Sequence, residues 1–474
     1  MRSSKIFLFL VENQNQVKMK RNRVKRGILF FVVVLIAAVV WFVWPRLPII
    51  TAFAAKGMCS SIFLADKEQA RVQAEDLSFF PISLAKSVVD FDEKSVTSTV
   101  FGLAKRKAIY REGLGAVLVL DTPENELKKF EFQFPTPEYS QDTIFWPKGD
   151  LLPDTLPEGL NTVRLNELLD TCFDAPGSEP FKKTLGIAVV FNNQLVAEKY
   201  LDGYDYKTMF HGWSMTKTIT GVLAGILADE GKLTVDEPAG FPEWNEDQHK
   251  NISVKDIIQM SSGLDWYENY FTISDATVML MQNDDMLASI LDNKVKYEPG
   301  TYWNYSSGDA NLLSGIIRNR MNNDESYHKF IYTKLLYPTG MLHTKVETDA
   351  AGLFVASSYS YGSTRDWARF GMLFLNDGIF AGDTVISKSW VDFMKTPAKA
   401  SNGNYAGTFW LKESNPEQAL KDVPEDVFFA DGFLGQRIYV IPSKKLVVVR
   451  MGYGYSNFDL NNLLGGIIKT LPVE

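Results

Sequence analysis

Residues 27–44 form an uninterrupted apolar run that constrains how the whole chain can fold. They contain no charged residue and read GILFFVVVLIAAVVWFVW. A helix of about 20 apolar residues is long enough to cross the hydrocarbon layer of a bilayer. Trp41 and Trp44 stand at the far end of the run, where aromatic side chains meet a membrane interface. We therefore predict a transmembrane anchor over residues 27–47, in contact with the lipid bilayer.

The charges around this run are unevenly distributed. Residues 1–26 carry eight basic side chains and one acidic side chain, although the whole chain has a net charge of −8. Lysine and arginine before an apolar helix predict a cytoplasmic N-terminus, so residues 1–26 are a basic cytoplasmic tail. The acidic body then lies on the periplasmic or extracytoplasmic side, as part of a single-pass membrane protein. This charge balance argues against nucleic acid as a partner.

Two other interpretations of the apolar run stay open. Ala52-Phe53-Ala54 has the small-residue pattern of a signal-peptidase site, so the run can belong to a cleaved signal peptide. The run exceeds the roughly 7–15 apolar residues usual in a signal peptide, which favours the uncleaved anchor. A buried core helix is the third interpretation, and the adjoining basic cluster argues against it.

Cysteine and histidine usage limits the chemistry of the body. Cys59 and Cys172 are too few for a disulfide scaffold, and they can either pair or stay free in an oxidising compartment. The four histidines are scattered and form no H-E-x-x-H motif, so we expect no metal site and no cofactor. A chain of 474 residues, 46% of them hydrophobic, can build a sizeable core without disulfides or a structural metal.

Two parts of the body differ in sequence pattern. Strand-like stretches at 95–100 and 115–121, followed by a proline-rich segment, predict an N-terminal extension and linker over 51–160. Residues 161–474 begin and end with hairpin patterns that enclose a mainly helical middle. This order predicts an α+β domain with an antiparallel sheet, flanking helices and a helical second lobe.

An S-x-x-K element at Ser214 and Lys217 opens a predicted helix. Residues three apart share a helix face, so Lys217 can reach the Ser214 hydroxyl. Serine is a weak nucleophile without an adjacent base, and a buried lysine with a lowered pKa can be that base. The chain has two other S-x-x-K matches, Ser83 with Lys86 and Ser326 with Lys329, and such pairs are usually found on the surface of a helix. Only the Ser214 copy follows a predicted hairpin and precedes further elements downstream.

Two further elements lie downstream of this serine. Tyr305 lies in a turn before a helix, where its phenol can share protons with serine and lysine in a cleft, although such a tyrosine can also be ordinary packing. Gly435 and Gln436 lie at a strand edge, where a main chain can approach a ligand closely. The N–H groups of Ser214 and Gln436 can then form an oxyanion hole.

The order and spacing of these elements resemble the serine hydrolases of the β-lactamase and penicillin-binding-protein superfamily. The class C-like branch is the most similar, with its family VIII carboxylesterases and 6-aminohexanoate-oligomer hydrolases. Residues 252–264, 363–371 and 432–442 add to the resemblance, which covers about 161–474. It implies a β-lactamase/transpeptidase-like fold.

The resemblance also implies roles for the residues that match the motifs. Ser214 is then the nucleophile, Lys217 its partner base and Tyr305 the general acid/base, and the amides of Ser214 and Gln436 form the oxyanion hole. We therefore expect a membrane-anchored, exported serine hydrolase of the carboxylesterase or amidase type. Its substrate would be a small ester, amide or peptide-like molecule that passes through an acyl-serine intermediate.

Two positions depart from the motifs of that superfamily. Ser307 stands where the second motif usually has asparagine, and an F-L-G sequence from Phe433 to Gly435 stands where the third is K-T-G or H-x-G. A cation that would receive a substrate carboxylate is therefore absent, which favours a neutral ester or amide over a β-lactam. Arg437, two residues after Gly435 in the same strand, is a candidate substitute for that cation. Phe433, Gly435 and Trp266 are the residues expected to bind substrate.

Other functions stay open at this stage. The altered third motif suits a non-catalytic, ligand-binding relative of penicillin-binding proteins, and a cell-wall D,D-peptidase is a further alternative. An α/β-hydrolase would use one of the histidines His249, His328 and His343 in a triad, but none of them has a supporting motif.

Overall fold

The computed structural model describes residues 19–21, 23, 25–35, 40–175, 177–179, 181–246, 248–411, 419–454 and 458–472. The helices of the body are α1 (Leu47–Phe63), α2 (Gln69–Ala74), α3 (Glu124–Leu127), α4 (Thr162–Thr171), α5 (Thr216–Asp229), α6 (Val254–Ile258), α7 (Asp275–Gln282), α8 (Met286–Leu291), α9 (Ser307–Asn319), α10 (Asp324–Ile331), α11 (Thr364–Leu375), α12 (Lys388–Lys395) and α13 (Leu460–Ile468). The strands are β1 (Ala85–Asp90), β2 (Ser95–Val100), β3 (Leu103–Arg111), β4 (Gly115–Val119), β5 (Thr184–Phe191), β6 (Gln194–Tyr200), β7 (Met209–His211), β8 (Thr344–Val346), β9 (Ser360–Ser363), β10 (Ile379–Phe380), β11 (Asp383–Thr384), β12 (Phe428–Gly432), β13 (Gln436–Ile441) and β14 (Leu446–Gly452).

One long apolar helix, Met19–Phe63, leads into the body, and its length and composition make it a candidate membrane span. The described side chains before Arg46 are exposed, whereas α1, the last section of the helix, is largely buried. Ala52 and Ala54 are at most 1% exposed, and such small side chains let a helix lie close to a sheet. The possible signal-peptidase pattern therefore lies inside a core helix.

The strands β1 to β4 form an antiparallel sheet in chain order, and α1 packs across it. Thr51 Oγ1 on α1 donates a hydrogen bond to the Ala104 carbonyl oxygen on β3 at 2.6 Å. β2 and β4 coincide with the two strand-like stretches expected in the extension. Cys59 on α1 and Cys172 are both buried and unpaired, so the disulfide that the sequence left open is not formed.

A five-stranded antiparallel sheet in the order β12-β13-β14-β5-β6 forms the centre of the body. On one face lies α11, whose Gly371 permits close approach, because a Cβ there would be only 2.5 Å from Val447 Cγ1. The opposite face packs against α4 and α13. Side chains alternate between the faces along β13, so Ile438 lies in the core on the α11 side and Tyr439 in the core on the other side.

A helical lobe formed by α6 to α10 lies between α5 and α11 in the chain. Within it, α9 packs against α5, α6 and α8, which brings the first turn of α9 next to the first turn of α5. Ser306 caps α9 by accepting a hydrogen bond from the Asp309 main-chain nitrogen at 2.8 Å. The lobe thus positions the residues on either side of Ser306 opposite the S-x-x-K element.

The expected fold class is confirmed: antiparallel sheets are flanked by helices, with a helical lobe. The first hairpin of the main sheet, β5–β6, turns through Asn192 and Asn193, whose φ angles are 48° and 66°. Asparagine tolerates this left-handed region better than most residues, so the sequence-based hairpin has a local cause. The expected hairpin near the C-terminus is also present, as β13 and β14.

Candidate active site

Ser214 lies in a short 3₁₀ turn, Trp213–Met215, directly before α5. The main chain at Gly212 lies close against the Trp367 ring, and a Cβ on Gly212 would be only 2.6 Å from that ring. Trp213 has a φ of 50°, an uncommon conformation for a bulky residue. Backbone strain of this kind is often found at functional sites, where the surrounding structure holds a side chain in place.

Lys217 extends from the first turn of α5 back to Ser214. Its Nζ atom donates hydrogen bonds to Ser214 Oγ at 3.0 Å, to Ser307 Oγ at 3.2 Å and to the Ser357 carbonyl oxygen at 3.0 Å. The side chain is only 1% exposed. Burial lowers the pKa of Lys217 to about 8, although the charge of Glu268 acts in the opposite direction. At neutral pH about a tenth of the amine is therefore uncharged, far more than for a lysine with an ordinary pKa.

Tyr305 lies on the other side of the same amine. The Lys217 Nζ atom is 4.8 Å from the centre of the Tyr305 ring. Burial raises the pKa of Tyr305 well above its ordinary value, and a hydrogen bond with the Ser214 side chain acts in the opposite direction. The ring stacks on Trp410 with centroids 5.3 Å apart. The structure thus brings together the three side chains that the sequence analysis selected.

A carboxylate network supports the lysine from the helical lobe. Glu268 accepts hydrogen bonds from the Ser307 main-chain nitrogen at 2.6 Å, from Ser307 Oγ at 2.8 Å and from Tyr270 Oη at 3.0 Å. Tyr270 Oη also lies 2.8 Å from Ser307 Oγ. Ser307, at the position where related motifs have asparagine, therefore links Lys217 to Glu268.

Trp266 belongs to this network. Its indole nitrogen donates to Glu268 Oε2 at 2.8 Å, and its ring packs beside Gly308, where a Cβ would be 2.9 Å away. The side chain is 7% exposed. Trp266 therefore orients Glu268 in this structure. The sequence alone does not indicate this network, because no spacing rule connects residue 268 to residue 307.

The β12–β13 hairpin forms the opposite wall of the site. Gly432 ends β12 against the Ser214 turn, and a Cβ there would be 2.4 Å from the Gly212 carbonyl oxygen. The next side chain, Phe433, packs edge-on against the Trp213 ring at 5.4 Å. Gly435 and Gln436 lie across the hairpin turn on the β13 side, where the Gln436 side chain bonds to the main chain of Gly452.

Arg437 does not take the place of the missing cation. It is 1% exposed, and it bonds to Asp431 Oδ1 at 2.6 Å and to Tyr439 Oη at 2.6 Å. These partners put its side chain on the α4 and α13 face of the sheet, away from α5. Alternation along β13 explains the error: Arg437 and Gly435 share a face, but that face is not the one that meets Ser214.

Each histidine considered for a triad lies in a different part of the described structure. His249 and His328 bond through Nε2 to the carbonyl oxygens of Asn293 and Gly352. His343 directly precedes β8 and accepts through its carbonyl oxygen from Ser363. The α/β-hydrolase alternative thus gains no support. Among the residues that the structure describes, no group of three or more His, Cys, Asp or Glu is arranged to hold a metal ion.

The Ser214 turn, the buried lysine and the antiparallel sheet between helices define the class of β-lactamase/transpeptidase-like proteins. The beta-lactamase family profile matches residues 179–456. The chain belongs to this family, and the superfamily expected from the motifs is confirmed.

Individual relatives are distant. The chain is 22% identical over 243 residues to a 6-aminohexanoate-dimer hydrolase of Paenarthrobacter ureafaciens, covering 48% of this chain and 57% of that protein. A Bacillus anthracis protein assigned as a 6-aminohexanoate-dimer hydrolase superposes with a TM-score of 0.54 at 21% identity, covering 71% of this chain and 89% of that one. A family VIII carboxylesterase superposes with a TM-score of 0.52 at 14% identity, covering 68% of this chain and 100% of that one. The match spans about a third to somewhat more than half of the length of the curated relatives.

Proposed function

We propose that the protein is a membrane-anchored serine hydrolase that cleaves an ester or amide bond through an acyl-serine intermediate. The observation that carries this proposal is the 3.0 Å contact between Lys217 Nζ and Ser214 Oγ, made by an amine whose pKa burial lowers to about 8. Family membership supports hydrolase chemistry in general. The ester or amide type, the catalytic residues and the anchoring go beyond family membership and are proposed here.

In acylation, neutral Lys217 takes the proton of Ser214 as Oγ bonds to the substrate carbonyl carbon. The amine is positioned for this by Ser307 and the Ser357 carbonyl oxygen. Tyr305, which hydrogen-bonds with Ser214, passes a proton to the leaving alcohol or amine as the carbon–oxygen or carbon–nitrogen bond breaks. Water then attacks the acyl-serine and gives a proton to the Tyr305 phenolate, while the Lys217 ammonium returns its proton to Ser214 Oγ as the bond from Oγ to the acyl carbon breaks. The acid is released, and Ser214, Lys217 and Tyr305 are back in their starting protonation states.

The negative charge that develops on the carbonyl oxygen needs two N–H donors. The Ser214 amide is one, as the sequence suggested. For the second we propose the Phe433 amide instead of the Gln436 amide, because β12 ends at Gly432 directly against the Gly212 carbonyl oxygen. Phe433 therefore begins the turn next to the nucleophile, whereas Gln436 lies across the hairpin on β13.

The apolar helix supports anchoring. Trp41 and Trp44 are 84% and 58% exposed, as side chains in a membrane interface would be. The helix leads through a three-residue 3₁₀ turn, Trp44–Arg46, into the buried α1, so an anchor here would hold the body close to the membrane surface. With the basic residues before it, we propose that the N-terminus is cytoplasmic and the site extracytoplasmic. The division into tail 1–26, anchor 27–47, extension 51–160 and hydrolase domain 161–474 also stays a proposal.

The test is labelling of the full-length protein by a fluorophosphonate probe, together with hydrolysis of p-nitrophenyl butyrate. We expect both in the wild type, and loss of both in Ser214→Ala by a factor of about 10³ or more. Ser83→Ala is the matched control, since Ser83 is an exposed serine of another S-x-x-K sequence. Labelling that persists in Ser214→Ala would refute the proposal. A wild type that neither labels nor turns over would instead point to the ligand-binding alternative, and strong labelling by fluorescent penicillin to a D,D-peptidase.

A further inference from the structure

A cavity of about 530 Å³ lies beside the nucleophile turn, between α1, the segment 79–84 and the β12–β13 turn. This volume falls within the roughly 300–1,000 Å³ of typical small-molecule sites. Its wall is mostly aliphatic or aromatic, with Ile49, Ile50, Ile82, Ile273, Leu280 and Met281 among the lining residues. Arg46 is the one charged side chain among the described residues that line it.

The inner end of the cavity is the wall of the proposed active site. Trp213 precedes Ser214 in the chain, and Phe433 follows the strand end that meets the nucleophile turn. Tyr270, a third lining residue, hydrogen-bonds with Ser307, which in turn accepts a hydrogen bond from Lys217. An apolar chain in the cavity would therefore end at residues that flank the proposed nucleophile Ser214.

The outer end of the cavity opens at the apolar helix. Phe42 and Val43, which lie just before the 3₁₀ turn Trp44–Arg46 that leads into α1, line the cavity. Three strongly exposed aromatic side chains also line the cavity: Phe80 is 75%, Phe101 80% and Phe271 70% exposed. Aromatic rings exposed beside a candidate membrane span suit the interface of a bilayer better than bulk water.

We propose that this cavity receives the aliphatic chain of a membrane amphiphile, which enters from the leaflet beside the apolar helix and presents its ester or amide carbonyl to Ser214. The inference rests on the proposed function and names the substrate class for it. The reaction is the same hydrolysis: Oγ bonds to the carbonyl carbon, the alcohol or amine leaves with the proton, and water releases the acid. Because α1 joins the helix to the body without a linker, the cavity mouth stays at the membrane surface.

The first experiment measures kcat/KM of the full-length protein in detergent micelles on p-nitrophenyl esters from acetyl to decanoyl. Burial of one methylene in an apolar site predicts a rise of about fourfold per added methylene until the cavity is full. A second series, alkyl acetates from ethyl to decyl, carries the chain on the alcohol and tests the opposite orientation. An increase of kcat/KM with chain length in one of the two series supports the proposal. Flat chain-length profiles in both series overturn it.

A cavity-filling variant separates binding in the cavity from partitioning into micelles. Ile273→Trp should lower the decanoyl-to-acetyl ratio of kcat/KM at least about tenfold, because the larger ring occupies space that the chain needs. Ile379→Trp, on the exposed β10–β11 ribbon, should leave the ratio unchanged. An unchanged ratio in Ile273→Trp, with an unfolding midpoint like that of the wild type, overturns the proposal.

A mouth variant keeps the test decisive if Ile273→Trp fails to fold. Phe101→Ser removes an exposed ring and should slow hydrolysis of a decanoyl ester presented in phosphatidylcholine vesicles several-fold, while Phe181→Ser, also exposed, should not. Equal rates in the two variants overturn the inference. Ser214→Ala separates failure of the proposed function from failure of the cavity proposal. Hydrolysis of the acetyl ester that survives in Ser214→Ala refutes the proposed function. Hydrolysis that depends on Ser214 but shows a flat chain-length profile refutes only the cavity proposal.

Discussion

Lys56 Nζ and Glu347 Oε2 lie 2.5 Å apart where helix α1 meets the rest of the protein, and both side chains are buried. Ser60 Oγ and the Ala116 main-chain nitrogen also donate to the carboxylate, at 3.0 Å and 2.7 Å. The Tyr359 ring lies 3.9 Å from the ammonium group. The end of the apolar helix is thus joined to the body by a buried charge pair, and both charged groups of the pair make further contacts.

Removing one partner of this pair should cost more stability than removing an exposed pair. Glu347→Gln leaves the Lys56 ammonium buried without its counter-charge, and we expect the free energy of unfolding to fall by about 3–5 kcal/mol. Glu124→Gln, which breaks the partly exposed pair with Lys107, should cost about 1 kcal/mol or less. Urea unfolding of the detergent-solubilised protein measures both. Equal losses in the two variants would contradict the prediction.

The pH profile of kcat/KM should report the titration of Lys217. The amine must be neutral to accept the Ser214 proton, and its pKa is lowered to about 8 by burial. Activity should therefore rise with pH through about 8 and reach a plateau above it, as for a group that works deprotonated. Lys217→Arg should lose this activity by a factor of about 10² or more, because guanidinium stays protonated. A profile that falls between pH 7 and 9 would exclude the lysine as the base.

Glu268 should determine where that profile lies on the pH axis. Its negative charge favours protonated Lys217 and so raises the pKa of the lysine. Glu268→Gln removes this charge while leaving a side chain that can still hydrogen-bond to Ser307, so the midpoint should move to lower pH. Glu325→Gln, at an exposed carboxylate, serves as the control and should leave the midpoint in place. A midpoint that moves to higher pH in Glu268→Gln would contradict the assigned sign.

Local patterns predicted much of the fold and the pairing of Ser214 with Lys217. The β5–β6 hairpin follows from two asparagines that accept positive φ, and the start of α5 follows from apolar spacing after Ser214. These features depend on neighbours in the chain. Tyr305 required more than local spacing, and the order of the motifs supplied it through the family resemblance.

The features that the sequence did not predict depend on contacts between distant segments. Glu268 meets Ser307 only because the helical lobe folds back on α5, and no periodicity carries that information. The position of Arg437 was misjudged because strand alternation predicts that two residues share a face, but not which face of the sheet meets Ser214. The apolar run 27–44 likewise indicated a helix, but not that it continues as α1 into the core.

The burial of α1 makes a prediction about N-terminal processing. Cleavage after Ala54 would remove the first half of α1, including Thr51 and its hydrogen bond to Ala104, and would expose the apolar face of β2. We expect a chain of residues 55–474 to be insoluble or to unfold without a cooperative transition, whereas residues 44–474, which keep α1 whole, should unfold cooperatively. Intact mass of the protein purified from membranes should correspondingly include residues 47–54. A mature N-terminus at Ala55 in active protein would show that the body does not need this helix, and it would favour the signal-peptide interpretation of the apolar run.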